Sequence, residues 1–243
     1  MVYLTDNFKA NHNNLIVSDQ KVTYRIIALK AQKGLKNYSY IIVDSESNHA
    51  AIIDPAWELD GILETLYKYH AELKAILLTH SHSDHTNLVE PLYSRFDPKV
   101  FISPKEMKYC GFNNVELAFL NDMDIIMLGN TKITAIASPG HTDGGLCYLL
   151  SDSLFTGDTI FIEGCGMCTS DGGDPGQMYE TINRIKSMVK PEVAVYPGHS
   201  YGKKPGYTLG YLCAENIYFL FDDKEMFINY RTRNNQTNLF SFK

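Results

Sequence analysis

The chain has 243 residues, 44% of them hydrophobic and 21% charged, proportions ordinary for a globular protein long enough to bury a real core. Its formal net charge of −6 argues against a general nucleic-acid or membrane-surface binder, which needs a basic face. No run approaches the ~18 apolar residues of a membrane span, and residues 1–10, which include Asp6 and Lys9, lack the apolar stretch of a signal peptide.

Without a linker or low-complexity tract, residues 1–243 read as one domain. Short apolar runs at 24–29, 40–43 and 50–53 predict strands, separated by the turn-rich 33–37 and 45–48. Leu59, Ile62, Leu63 and Leu66 fall at helical spacing after the Asp54-Pro55 breaker. Strands are expected at 75–78 and 100–102, with a helix over 88–93 between them. Gly129-Asn130 between 124–128 and 132–137 is a hairpin signal. Strands at 147–150 and 154–156 precede a helix over 175–189, with Met178, Ile182, Ile185 and Met188 on one face and Pro175 at its start. A strand at 193–196 follows, then a terminal helix suggested by Leu209, Leu212, Cys213 and Leu220. Strands interspersed with helices indicate an α/β sandwich.

Four apolar strands run into residues able to bind a metal. The first leads to His80-Ser-His-Ser-Asp-His85, and the others to Pro139-Gly-His141, Gly157-Asp158 and Pro197-Gly-His199. Loops beyond strand ends are where α/β folds place their chemistry. His80 and His82 in an extended turn can converge on one ion, with Asp84 and His85 reaching a second. Neutral imidazole and carboxylate suit zinc, and also iron and manganese. A lone His-Gly or Gly-Asp turn is usually only a turn. Three histidines and an aspartate within six positions are not what packing selects, and five of the eight histidines lie in these segments.

These segments, with Gly140-His-Thr-Asp-Gly-Gly145, Leu154-Phe-Thr-Gly-Asp-Thr159 and Gly164-Cys-Gly166, resemble the metallo-β-lactamase superfamily and its glyoxalase II-like branch over about residues 38–200. The resemblance implies an αββα sandwich of two mixed sheets flanked by helices. Phe155-Thr-Gly-Asp-Thr-Ile-Phe-Ile-Glu-Gly-Cys-Gly166, Val195-Tyr-Pro-Gly-His-Ser-Tyr-Gly202 and Asn229-Tyr-Arg-Thr-Arg-Asn-Asn-Gln236 are similar to the zinc-dependent hydrolases of bacterial polyketide clusters with separate acyltransferases. With 44 residues after His199, the helical region by which the glyoxalase II resemblance would imply glutathione binding is not expected here.

Carried over by position, His80, His82 and His141 would bind one zinc, Asp84, His85 and His199 a second, and Asp158 would bridge. The implied activity is hydrolysis of an acyl thioester, on an acyl carrier protein, by a hydroxide shared between two zinc ions and oriented by Asp84. A thiolate leaving group needs little protonation, since a free thiol has a pKa of about 8.5. Two other activities resemble the same branch: a mononuclear iron persulfide dioxygenase, whose iron would take His80, His141 and Asp158, and a glutathione thioester hydrolase.

Asp54 reads either as a plain Asp-Pro turn or as a hydrogen-bond partner of a ligand histidine. Lys203, Lys204, Arg231 and Arg233 read as a solvated face, or as contacts for an acidic carrier protein. Cys165-Gly-Met-Cys168 has redox spacing outside a redox-fold context and is expected to be a structural loop beside the site. Five cysteines cannot all pair in one chain, so reduced thiols and a cytoplasmic location are expected.

Overall fold

The computed structural model describes residues 2–3, 22–32 and 34–234. Lys33 of the first turn, Asn235 and Gln236 of the tail motif, His12 and all but two residues of the N-terminal ten lie outside the described residues.

Two mixed sheets carry the architecture. A two-residue strand, β1 (Val2–Tyr3), belongs to the second of them. The first sheet runs in chain order through β2 (Tyr24–Lys30), β3 (Tyr38–Asp44), β4 (His49–Ile53), β5 (Glu72–Leu77), β6 (Lys99–Ile102) and β7 (Leu117–Phe119). The second comprises β8 (Ile125–Leu128), β9 (Thr131–Ala137), β10 (Leu146–Leu149) and β11 (Ser153–Gly157), then β14 (Ala194–Pro197) and β15 (Tyr207–Thr208). A small hairpin, β12 (Ile160–Phe161) with β13 (Gly164–Cys165), stands apart.

The apolar runs are continuous because both sheet faces are buried, and alternate side chains then serve different cores. Tyr40 and Ile42 point between the sheets, where they meet Tyr148 and Phe155 from the other sheet. Ile41 and Val43 point outward beneath Ile62 and Leu66 of α1 (Leu59–Lys68) and Leu92 of α3 (Val89–Phe96). On the far side, Cys147, Leu149, Leu154 and Val195 pack under Met178, Ile182 and Ile185 of α4 (Pro175–Met188). Helix–sheet–sheet–helix is the layering expected from the resemblance.

The C-terminal region departs from expectation. Instead of one terminal helix, α5 (Leu209–Glu215) stops at Asn216, whose side chain bonds Phe161 and Gly164 carbonyls and the Tyr218 amide. A further helix, α6 (Lys224–Arg231), starts at the Asp223 cap and buries Phe227. Asn216 satisfying a loop's carbonyls outweighs continuation of the helix, because buried polar groups must be paired. Strands β7, β12, β13 and β15, each of three residues or fewer, were too short to leave a periodic signal.

Candidate metal centre

Strand direction gathers the site at one edge. β4 and β5 are parallel, so Asp54 and the 80–85 segment leave the same end of the first sheet. β9 and β11 both run antiparallel to β10, and β14 runs parallel to β11; His141, Asp158 and His199 therefore leave one end of the second sheet. Four bonds join the sheets there: Leu146 N–H to Thr79 O (2.8 Å), Tyr38 N–H to Gly198 O (2.8 Å), Tyr148 O–H to Leu78 O (2.7 Å) and Tyr40 O–H to Pro197 O (2.6 Å). The short α2 (Ser83–Thr86) carries Asp84 and His85.

Two donor groups result. In the first, His80, His82 and His141 converge, with His141 Nε2 3.0 Å from His82 Nδ1. In the second, Asp84 Oδ2 lies 3.6 Å from His85 Nε2 and 3.4 Å from His199 Nε2. Asp158 lies between them: its Oδ2 is 3.8 Å from His141 Nε2 and 3.4 Å from His199 Nε2, and its Oδ1 is 3.3 Å from His85 Nε2. All seven predicted donors are thus in one place. Gly198 permits this approach, since a Cβ there would stand 2.5 Å from Asp158 Oδ1 and 2.6 Å from His85 Cε1.

Hydrogen bonds behind the rings fix which nitrogen faces inward. Thr79 donates its hydroxyl proton to Asp54 Oδ2 (2.6 Å), so Thr79 Oγ1 accepts from His80 Nδ1 (2.9 Å). His85 Nδ1 donates to Asp54 Oδ2 (2.9 Å), His141 Nδ1 to Met167 O (2.7 Å) and His199 Nδ1 to Leu35 O (3.2 Å). In each ring Nε2 is left to face the centre. Asp54 is therefore a partner of a candidate ligand as well as a turn residue, its backbone held at φ 48.

The residues fit a metal by two tests. His80 Nε2, His85 Nε2 and Asp158 Oδ1 are buried polar atoms that make no hydrogen bond of normal geometry among the described residues, the arrangement a cation would satisfy. The donors themselves, three imidazoles in one group and two imidazoles with a carboxylate in the other, suit zinc or iron.

Electrostatics separate the groups. Burial, reinforced by neighbouring His85 and His141, holds His80 well below the ordinary histidine value; burial also lowers His141. Burial opposes charge on His85 and His199 too, but the Asp158 carboxylate overrides it, putting His85 well above the ordinary value and His199 at about 9. Despite burial, Asp84 and Asp158 sit below the ordinary carboxylate value, because His199 and His85 stabilise their anions.

Several supporting residues had no spacing signal in the sequence. Glu106, fully buried in a 3-10 turn, accepts from Ser81 N–H (2.9 Å), Ser81 O–H (2.6 Å) and Gly144 N–H (3.1 Å), tying the His80–His82 turn to the loop after His141. Thr181 of α4 donates to Pro139 O (2.7 Å) and holds the turn before His141. Asn37, also buried, donates to Asp84 Oδ2 at 3.0 Å.

Arg231 corrects an expectation. It does not lie on a solvated face: only 4% exposed, it donates from Nε to Gly166 O (2.9 Å) and stacks over Tyr218. Packing of α6 against the loop draws it inward. It thereby supports the segment whose Met167 carbonyl holds His141, and Cys165 and Cys168 are buried free thiols in that segment. Lys203, Lys204 and Arg233 are exposed; Lys203 lies 3.9 Å from Glu163, and Arg233 covers the Tyr230 ring.

Residues 33–199 match the metallo-beta-lactamase superfamily. The chain is 50% identical over 223 residues to the probable polyketide biosynthesis zinc-dependent hydrolase PksB of Bacillus subtilis, covering 91% of this chain and 99% of that one. It is 46% identical to the corresponding probable hydrolase BaeB of Bacillus velezensis, with the same two coverages. Among solved structures, ETHE1 from Myxococcus xanthus superposes with a TM-score of 0.79 at 26% identity, covering 89% of this chain and 93% of that one. Sandwich, strand-end donors and these matches agree: the chain belongs to the metallo-beta-lactamase superfamily.

Proposed function

We propose that this chain hydrolyses acyl thioesters carried on an acyl carrier protein during polyketide biosynthesis, using about two zinc ions per chain. That it is a metal-dependent hydrolase follows from family membership and from relatives named as zinc-dependent hydrolases along almost their whole length. The observation that supports the finer reading is the pair of complete donor groups meeting at Asp158, with every donor seated against the next. A single-iron dioxygenase would use only His80, His141 and Asp158, leaving the convergent Asp84, His85 and His199 without a task.

Zinc held by His80, His82 and His141, and by Asp84, His85 and His199, with Asp158 between, would polarise a carbonyl and lower the pKa of water toward 7. The protein's own residues do the rest. Asp54, Thr79, Met167 and Leu35 hold the imidazoles in one tautomer and orientation. Asp84 and His82 are the least enclosed donors, so substrate and water approach on their side. The Asp84 carboxylate stays ionised, so it orients a water molecule by accepting its hydrogen bond instead of storing its proton. A thiolate leaves with little assistance at its ordinary pKa of about 8.5, so no side chain need act as a general acid. Lys203, Lys204 and Arg233, exposed beyond His199, supply the positive charge for an acidic carrier protein.

The test is elemental analysis of protein grown with zinc and iron both supplied, followed by hydrolysis assays on acyl carrier protein, coenzyme A and glutathione thioesters. About two zinc ions per chain and fastest turnover of the carrier thioester are expected. One iron with little zinc, or fastest turnover of the glutathione thioester, overturns the reading.

A further inference from the structure

The turn between β2 and β3 touches the second donor group at two points. The Leu35 carbonyl accepts from His199 Nδ1 at 3.2 Å, and the Asn37 amide nitrogen stands 3.0 Å from Asp84 Oδ2 and 3.5 Å from His199 Nε2. The first group is held from elsewhere, by Thr79 behind His80 and Met167 behind His141.

Asn37 also has a partner on its other side. Its Oδ1 accepts from the Trp57 indole Nε1 at 3.0 Å. An indole N–H can only donate and an ionised carboxylate can only accept, so the amide has one workable orientation, oxygen to Trp57 and nitrogen to Asp84. Trp57 is fixed in turn. Its backbone N–H donates to Asn87 Oδ1 at 2.9 Å, and Asn87 directly follows α2, the helix that carries Asp84 and His85. Its ring lies on the turn at Gly34, where a Cβ would come within 2.9 Å of it. Trp57 sits at φ 65, a strained backbone for a bulky residue, which persists only where the surroundings hold it.

We propose that Trp57 and Asn37 form a clamp that orients Asp84, making Asn37 a positioning residue for the metal held by Asp84, His85 and His199 and not for the one held by His80, His82 and His141. The assignment rests on the metal reading above. The clamp works because an unconstrained aspartate on a four-residue helix has several rotamers, and one amide donor fixed from behind selects the one that faces the donor group. Trp57 is the chain's single tryptophan, so its emission reports on the clamp directly.

The experiment titrates the metal-free full chain with Zn2+ against a chromophoric chelator for wild type, Asn37→Ala, Trp57→Phe and His199→Ala, recording tryptophan emission as well in the three that keep Trp57. His199→Ala marks which binding step belongs to the second group. In Asn37→Ala that same step weakens by about 10- to 100-fold while the other is unchanged, and the emission change that accompanies it in wild type is lost. Trp57→Phe keeps a ring but not the donor; it weakens the same step by a smaller factor, and decides the matter alone if Asn37→Ala does not fold. Unchanged affinity in the variants, or equal weakening of both steps, overturns the clamp while leaving the metal reading standing. Wild type taking up no zinc overturns the metal reading, and the clamp with it.

Discussion

Asp54 Oδ2 accepts the Nδ1 proton of His85 at 2.9 Å, with both side chains all but excluded from solvent. The same carboxylate accepts from the Thr79 amide at 2.8 Å and from the Thr79 hydroxyl that backs His80. One residue thus sets the orientation of a histidine in each donor group. Asp54→Ala strands three buried donors, so it should cost about 3 kcal/mol of stability and weaken metal binding by about 10- to 100-fold. Urea unfolding and chelator competition measure the two effects. Metal affinity equal to wild type would show that Asp54 serves only its turn.

Metal uptake should release protons at neutral pH. In the metal-free chain His85 and His199 are held protonated by the adjacent carboxylates, His199 up to about 9. Raised values stabilise the folded apoprotein fully below the ordinary histidine value of about 6.5, and for His199 this is lost as pH climbs through about 9. A ligating imidazole must be neutral, so loading at pH 7 should expel about two protons per chain, falling once pH exceeds the His199 value. Calorimetry in buffers of different ionisation enthalpy counts them. No release at pH 7 would mean these rings are already neutral.

The buried Arg231 and the exposed Arg233 should behave as opposites. Arg231→Met leaves the Gly166 carbonyl with only the weak Cys168 thiol as donor, at a cost of about 1–3 kcal/mol, and loosens the loop that holds His141. Arg233→Ala, Lys203→Ala and Lys204→Ala should each stay within about 0.5 kcal/mol of wild type in thermal or urea unfolding. An Arg231→Met variant as stable as wild type would return that residue to the surface.

Reversing both lysines, Lys203→Glu with Lys204→Glu, should raise KM for a carrier-bound thioester by about tenfold and leave kcat and small-thioester turnover unchanged, since rim charges act mainly on encounter. Intact carrier turnover in that variant would remove these lysines from the docking face.

Asp84→Asn keeps the shape and loses the charge that orients water. It should lower kcat by about 100-fold or more, in line with loss of a positioned acid–base group. Equal kcat would assign Asp84 a binding role only.

The sequence by itself determined the candidate donors and the layers. His80, His82, Asp84, His85, His141, Asp158 and His199 were legible as a candidate set because a metal site would demand such side chains just beyond strand ends, and uninterrupted apolar runs report strands buried on both faces. The tertiary structure alone decided what stands behind those donors. Met167 and Leu35 act through backbone carbonyls, which every residue has, so no residue type betrays them. Asn37, Glu106 and Arg231 are single polar residues, 47, 25 and 65 positions away from the groups they hold, and nothing in their neighbours marks them. Whether an arginine faces water or a buried carbonyl depends on how a helix packs, and that is a property of the folded chain, not of its local spacing.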